Sequence, residues 1–340
     1  YDILADAQYE NTLSQINQPD ANMDNVTLEK APEIAVYSPK SAKPWDDAVT
    51  LALTYAEIPY DVIYDGDLME NKLSEYEWLH LHHEDFTGQF GKFWAHYRNA
   101  DWYKQEVKED RNLAAQWGFD KVSELKLAVS KKIRDYVLGG GYLFAMCSAP
   151  DTYDIALSAE DVDICKPMFD GDGMNPNAGD KINFNNTFAF KDFDLVKSPY
   201  RYEYSSIDGT NDHKKIDKKE DFFKLFKFSA KWDPVPTMLC QNHERLIHGF
   251  YGQTTSFRKK YLKPKVLVMG ENVKLDNARY IHGQYGKGMW TFYAGHDPED
   301  YQHMVNEPPT DLTNHPNSPG YRLILNNILF PAAKKKKKET

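Results

Sequence analysis

Short apolar runs alternate with amphipathic stretches through the first half of the chain, and this spacing predicts α/β structure. Glu33 to Tyr37 is an apolar run stopped by Ser38-Pro39, and Trp45 to Ala56 has helical spacing with Asp46 and Asp47 in its first turn. Tyr60 to Tyr64 and Glu77 to Leu81 predict a second and a third strand. Lys121 to Leu138 predicts an amphipathic helix closed by Gly139-Gly140-Gly141, and Tyr142 to Met146 a fourth strand that delivers Cys147. Strands separated by helices of this length predict parallel pairing with right-handed crossovers.

Between Ser158 and Leu262 the pattern weakens into turn-rich and charged segments, which predicts an insertion of irregular loops and short strands lying over the active edge. Regular alternation resumes with Lys265 to Met269, Ala278 to His282 and, after the Tyr285-Gly286-Lys287-Gly288 turn, Met289 to Ala294; the last two predict an antiparallel pair. Tyr321 to Leu329 predicts a closing helix. The expected organisation is therefore a connector over 1–30, an α/β domain from 31–157 and 263–330, an insertion over 158–262, and a basic tail over 331–340.

With 340 residues and 14% aromatic side chains, the chain can bury a large core. Its formal charge of −10 argues against a nucleic-acid partner, which requires a basic face. No apolar run approaches the roughly 18 residues of a membrane span. The three cysteines, Cys147, Cys165 and Cys240, do not form a disulfide framework. The chain opens at Tyr1 without a methionine, which fits a processed form or a chain lacking upstream sequence and leaves the compartment open.

Three strand ends carry candidate chemistry, because ligands of open parallel sheets lie beyond the carboxyl ends of the strands. Cys147 leaves the fourth strand among small residues, the position of a nucleophile on a strand-to-helix elbow, although an unpaired cysteine equally serves to pack. Cys165 and Cys240 lack such an elbow and are assigned to packing. His296 follows another strand, with Glu299 placed to fix its tautomer; alternatively Asp297 and Glu299 cap the turn that Pro298 starts. The third end is His80 to Gly88. His80 and His82 would share a strand face about 7 Å apart and could share a metal, with Glu84 or Asp85 adding oxygen. The use preferred here is metal-free, with His82, His83, Glu84 and Gly88, together with the Ser148 N–H, shaping a substrate and oxyanion site. No cofactor is expected, and the partner is a small-molecule amide or carbohydrate. His243, His248, His303 and His315 are assigned to structural or solvated roles.

Ala145-Met146-Cys147-Ser148-Ala149 and the run from Tyr285-Gly286-Lys287-Gly288 to Gly295-His296-Asp297-Pro298-Glu299 resemble the class I glutamine amidotransferase-like superfamily, and within it the ThuA-like branch. The elbow of true amidotransferases has glycines where Ala145 and Ala149 stand, and Asp297 is an extra residue between His296 and Pro298. The whole chain is similar to bacterial proteins labelled asparagine synthetase B, yet it contains no Ser-Gly-Gly-x-Asp-Ser pyrophosphate loop. The resemblance implies a flavodoxin-like three-layer α/β/α sandwich and, because members of the labelled group begin with a signal peptide, export to the periplasm, with the cytoplasm as the alternative. It also implies a cysteine amidase of Cys147, His296 and Glu299 acting through a thioester, or else a ThuA-like carbohydrate protein in which the cysteine is incidental and Tyr200, Tyr202, Tyr204 and Trp232 stack on sugar.

Overall fold

Nine strands of the sheet follow one path, and its order explains where the chemistry collects. The computed structural model describes residues 31–39, 47–226, 244–302, 304, 307–329 and 332. Strand β1 (Ile34–Tyr37) leads to helix α1 (Ala48–Tyr55), β2 (Asp61–Ile63), α2 (Asp65–Met69) and β3 (Trp78–Leu81). Helices α3 (Asp101–Gln116) and α4 (Val122–Gly139) precede β4 (Tyr142–Met146) and α5 (Ala149–Ser158). The remainder supplies β5 (Phe222–Leu225), β6 (Leu246–His248), β7 (Phe257–Arg258), β8 (Leu267–Asn272), β9 (Asn277–Tyr285), β10 (Gly288–Tyr293) and α6 (Pro319–Leu329).

The sheet runs β2-β1-β3-β4-β10-β9-β8-β5-β6, with β7 added beside β9. Pairing is parallel from β2 through β4 to β10, and antiparallel from β10 onward. This corrects the expected flavodoxin-like three-layer sandwich: the sheet is mixed and ten-stranded. The segment 158–262 also supplies β5, β6 and β7 to that sheet. Those strands hold four residues or fewer, too few for a period-2 pattern to stand out among charged neighbours.

Side chains alternate between two cores, as a pleated strand requires. Leu143 and Ala145 of β4 enter one core with Val129 and Ile133 of α4. Phe144 and Met146 enter the other with Val49 of α1 and Ile324 of α6. With both faces covered, the parallel strands read as unbroken apolar runs. Among the described residues no helix is long and apolar enough to cross a membrane.

Candidate functional site

Where β4 ends, Cys147 takes φ +54°, a conformation that costs a non-glycine residue about 1–3 kcal/mol and persists only when its surroundings hold it. The fully buried strand on one side and the fully buried helix α5 on the other supply that constraint. The sulfur is buried and accepts the Gln253 N–H at 3.2 Å. Burial pushes the thiol up to about 11, against the pull of the Gln253, Thr254 and Ser148 backbone N–H groups. A neutral, covered thiol is a poor nucleophile at physiological pH.

The elbow also fixes the loop after β3. Ser148 Oγ donates to the His83 carbonyl at 2.9 Å, and Thr152 Oγ1 donates to the Glu84 carbonyl at 2.8 Å. On the other side, Gly295 at φ +95° turns the chain after β10 so that His296 faces the same edge. The segment Tyr251–Thr254 bridges the two arms. Its Thr254 carbonyl accepts from Gly295 N at 2.9 Å, and its Tyr251 carbonyl accepts from His296 N at 3.0 Å. Gly252 lies so close that a Cβ there would sit 2.9 Å from the Gly295 backbone.

The result is a cluster of three imidazoles. His296 meets His82 edge-on with ring centroids 4.4 Å apart and stacks at 5.9 Å on His83. One ring nitrogen from each of His82, His83 and His296 lies within 4.8 Å of the other two. His82 is buried, His296 half-buried and His83 exposed, so the cluster opens to solvent on one side. Asp47, the N-cap of α1, underlies it: Oδ1 accepts from Val49 N and Thr50 N, while Oδ2 lies 2.9 Å from His80 Nε2 and 3.5 Å from His82 Nδ1. Burial pushes the Asp47 carboxyl up, but His80, the Thr50 N–H and His83 outweigh it and hold Asp47 below the usual range.

The other expected residues go elsewhere. Glu299 pairs with His315, Oε2 to Nδ1 at 3.1 Å, while Asp297 accepts from Glu299 N and Thr310 Oγ1, the capping role weighed above. Glu84 is pushed up to about 8 by burial and by Asp110, Glu106 and Asp65, against the pull of Lys126. It therefore joins a polar cluster in which Lys126 Nζ lies 3.0 Å from both Asp65 Oδ2 and Tyr37 OH. Gly88, at φ +77°, is required by packing: a Cβ there would lie 2.7 Å from Ser123 N. Cys165 is buried and donates to the Thr87 carbonyl, as expected of a packing residue. His248 Nε2 lies 2.9 Å from the Lys218 carbonyl. Trp232, Cys240, His243 and His303 lie outside the described residues.

Asp47 and Gln253 had no role in the sequence-based site. Asp47 reads in the sequence only as an acidic residue of a helix's first turn, and Gln253 sits in a segment without periodicity.

No family model matches the chain, and no curated protein does. Among solved structures, cytoplasmic protein STM3548 from Salmonella typhimurium aligns at 10% identity over 89% of this chain and 100% of that chain, with TM-score 0.41. The exo-beta-1,4-mannosidase Op5Man5 from Opitutaceae bacterium strain TAV5 aligns at 11% identity over 97% of this chain and 39% of that chain, with TM-score 0.37. A beta-galactosidase from Bacillus circulans sp. alkalophilus aligns at 10% identity over 86% of this chain and 32% of that chain, with TM-score 0.35. Alignments this loose carry no argument about function.

Proposed function

We propose that the chain is a hydrolase of a small polar substrate, with the imidazoles of His82, His83 and His296 as its proton-transferring groups and the Cys147 elbow as the frame that holds them. The convergence of three histidines from two distant segments on one solvent-open edge carries this reading. Imidazole is the side chain whose ordinary pKa lies nearest neutrality, so one ring can accept a proton from water while another donates to a leaving group. His83 is the exposed member and meets substrate first, while Asp47 holds His80 and His82 from below.

The test is turnover of amide, ester and glycoside substrates by the wild type and variants. Glycosides belong in the panel because the half-exposed rings of Trp102 and Tyr202 and the exposed Tyr200 surround Phe93 and Trp94 beside the elbow. Gln253 Nε2 links the two regions, donating to the Gly91 and Tyr202 carbonyls. His83→Ala and His296→Ala should each lose at least about 100-fold in kcat/KM, with Cys147→Ser within about 10-fold of wild type.

A second reading, the amidotransferase-like cysteine hydrolase, is favoured by one observation: Cys147 combines the positive φ of an elbow with an N–H aimed at its sulfur. Under it, substrate binding displaces the 251–254 segment and uncovers the thiol. Loss of all turnover in a folded Cys147→Ser variant would select this mechanism.

A further inference from the structure

We infer that His82, His83 and His296 form a binding site for one divalent transition-metal ion of the zinc class. The site lies at the same place as the proposed hydrolase centre, and the inference rests on that reading only for its chemical purpose: with the ion bound, the three rings would act as ligands and the proton transfer assigned to them above would pass to water on the ion. Nitrogens bound to one tetrahedral zinc ion at about 2.0–2.1 Å lie about 3.3 Å apart, and one ring nitrogen from each of the three histidines is already confined within 4.8 Å of the others.

The surroundings of His82 suit a ring that ligates through Nε2, because its Nδ1 already faces other partners, with His83 Nδ1 2.5 Å away. Beneath the rings, the Asp47 carboxylate lies 3.5 Å from the same His82 Nδ1. A carboxylate behind a ligating imidazole orients the ring and offsets the charge of the ion. An all-imidazole donor set suits zinc and its late first-row neighbours rather than magnesium or calcium. The exposure of His83 leaves a coordination position for water, whose pKa an ion of this kind lowers toward neutrality.

The second group of potential ligands, Asp163, Cys165 and Asp170, provides a contrast. There Lys121 already supplies the positive charge, with Nζ 2.5 Å from Asp163, 3.2 Å from Asp170 and 2.5 Å from Asp172.

The test is titration of chelator-stripped, tag-free protein with Zn2+, and separately with Co2+ to read the visible absorption of a low-coordinate cobalt site. One saturable equivalent is expected. It should be weakened at least about 100-fold in His83→Ala and His296→Ala, about 10-fold in Asp47→Asn, and not at all in Asp163→Asn. His83 is exposed, so its alanine variant keeps the assay valid even where the other substitutions impair folding. Binding that follows this pattern supports the site whether or not any substrate turns over. Absence of a saturable equivalent, or one unchanged in both histidine variants, overturns it. Turnover by stripped protein in that case would leave the hydrolase reading standing on imidazole chemistry alone.

Discussion

The backbone N–H of Gln253 points at the sulfur of Cys147 from 3.2 Å, so a residue from the irregular middle of the chain closes over the elbow of the parallel sheet. Because burial is the main cause of the raised thiol pKa, alkylation should be slow at neutral pH and accelerate only toward about pH 11. His296→Ala should leave that profile in place, since desolvation rather than a neighbouring charge sets it. Iodoacetamide rates against pH, mapped by peptide, provide the check; fast labelling of Cys147 at pH 7 in folded protein would contradict it.

Substituting Gly252 should open this cover. A Cβ at that position meets the Gly295 carbonyl carbon and Cα and the His296 nitrogen at 2.9 Å, and those backbone atoms cannot rotate aside. Gly252→Ala is expected to speed Cys147 alkylation by at least about 10-fold and to cost about 1–3 kcal/mol of stability. Alkylation unchanged from wild type would mean that the segment does not control access.

A buried ion network anchors the same segment. Arg279 donates to the Phe250 carbonyl and lies 2.9 Å from Asp221 Oδ2, which is 3.1 Å from His213 Nδ1; Asn272 Nδ2 donates to Asp221 Oδ1 at 2.8 Å. Arg279, Asp221 and His213 are fully buried. Asp221→Ala would strand the guanidinium and should cost about 3–5 kcal/mol in urea unfolding, with Asp221→Asn costing less. A cost under about 1 kcal/mol for the alanine variant would refute this.

The parallel half was legible in the sequence because strands covered on both faces are continuous apolar runs, as Ile34–Tyr37 and Tyr142–Met146 are. Strand β7 has two residues and β5 lies in a charged stretch, so their place in the sheet depends on long-range pairing that local pattern does not encode. For the site, Cys147, His82, His83 and His296 were visible as strand-end residues. Their partners were not. Glu299 is drawn to His315, a residue in a polar loop, and His296 finds His82 across more than 200 positions because β3, β4 and β10 are adjacent.

Stability should also depend on pH through the carboxyls around Lys126. Burial and neighbouring carboxylates push Glu84 up to about 8 and Glu106 up to about 7. Between their ordinary values and these, the folded chain retains protons that the unfolded chain has released. Their contribution is therefore fully present below about pH 4.5 and is lost as pH rises through about 8. The urea midpoint should fall between about pH 6 and about pH 8.5, and less steeply in Glu84→Gln. Identical slopes for the two proteins would exclude Glu84 as a source of the effect.

Strand β10 lies parallel to β4 and antiparallel to β9, which makes it the seam between two styles of sheet. His82, His83 and Cys147 belong to the parallel side, whereas the 251–254 segment belongs to the chain that builds the antiparallel side; His296, just past the seam, touches both. Growth or trimming of the sheet at the far β6 edge leaves the seam pairings untouched. The outer strands of such an architecture are therefore free to diverge in length while the imidazoles keep their spacing, and a single displaced strand, β10, is enough to pull them apart.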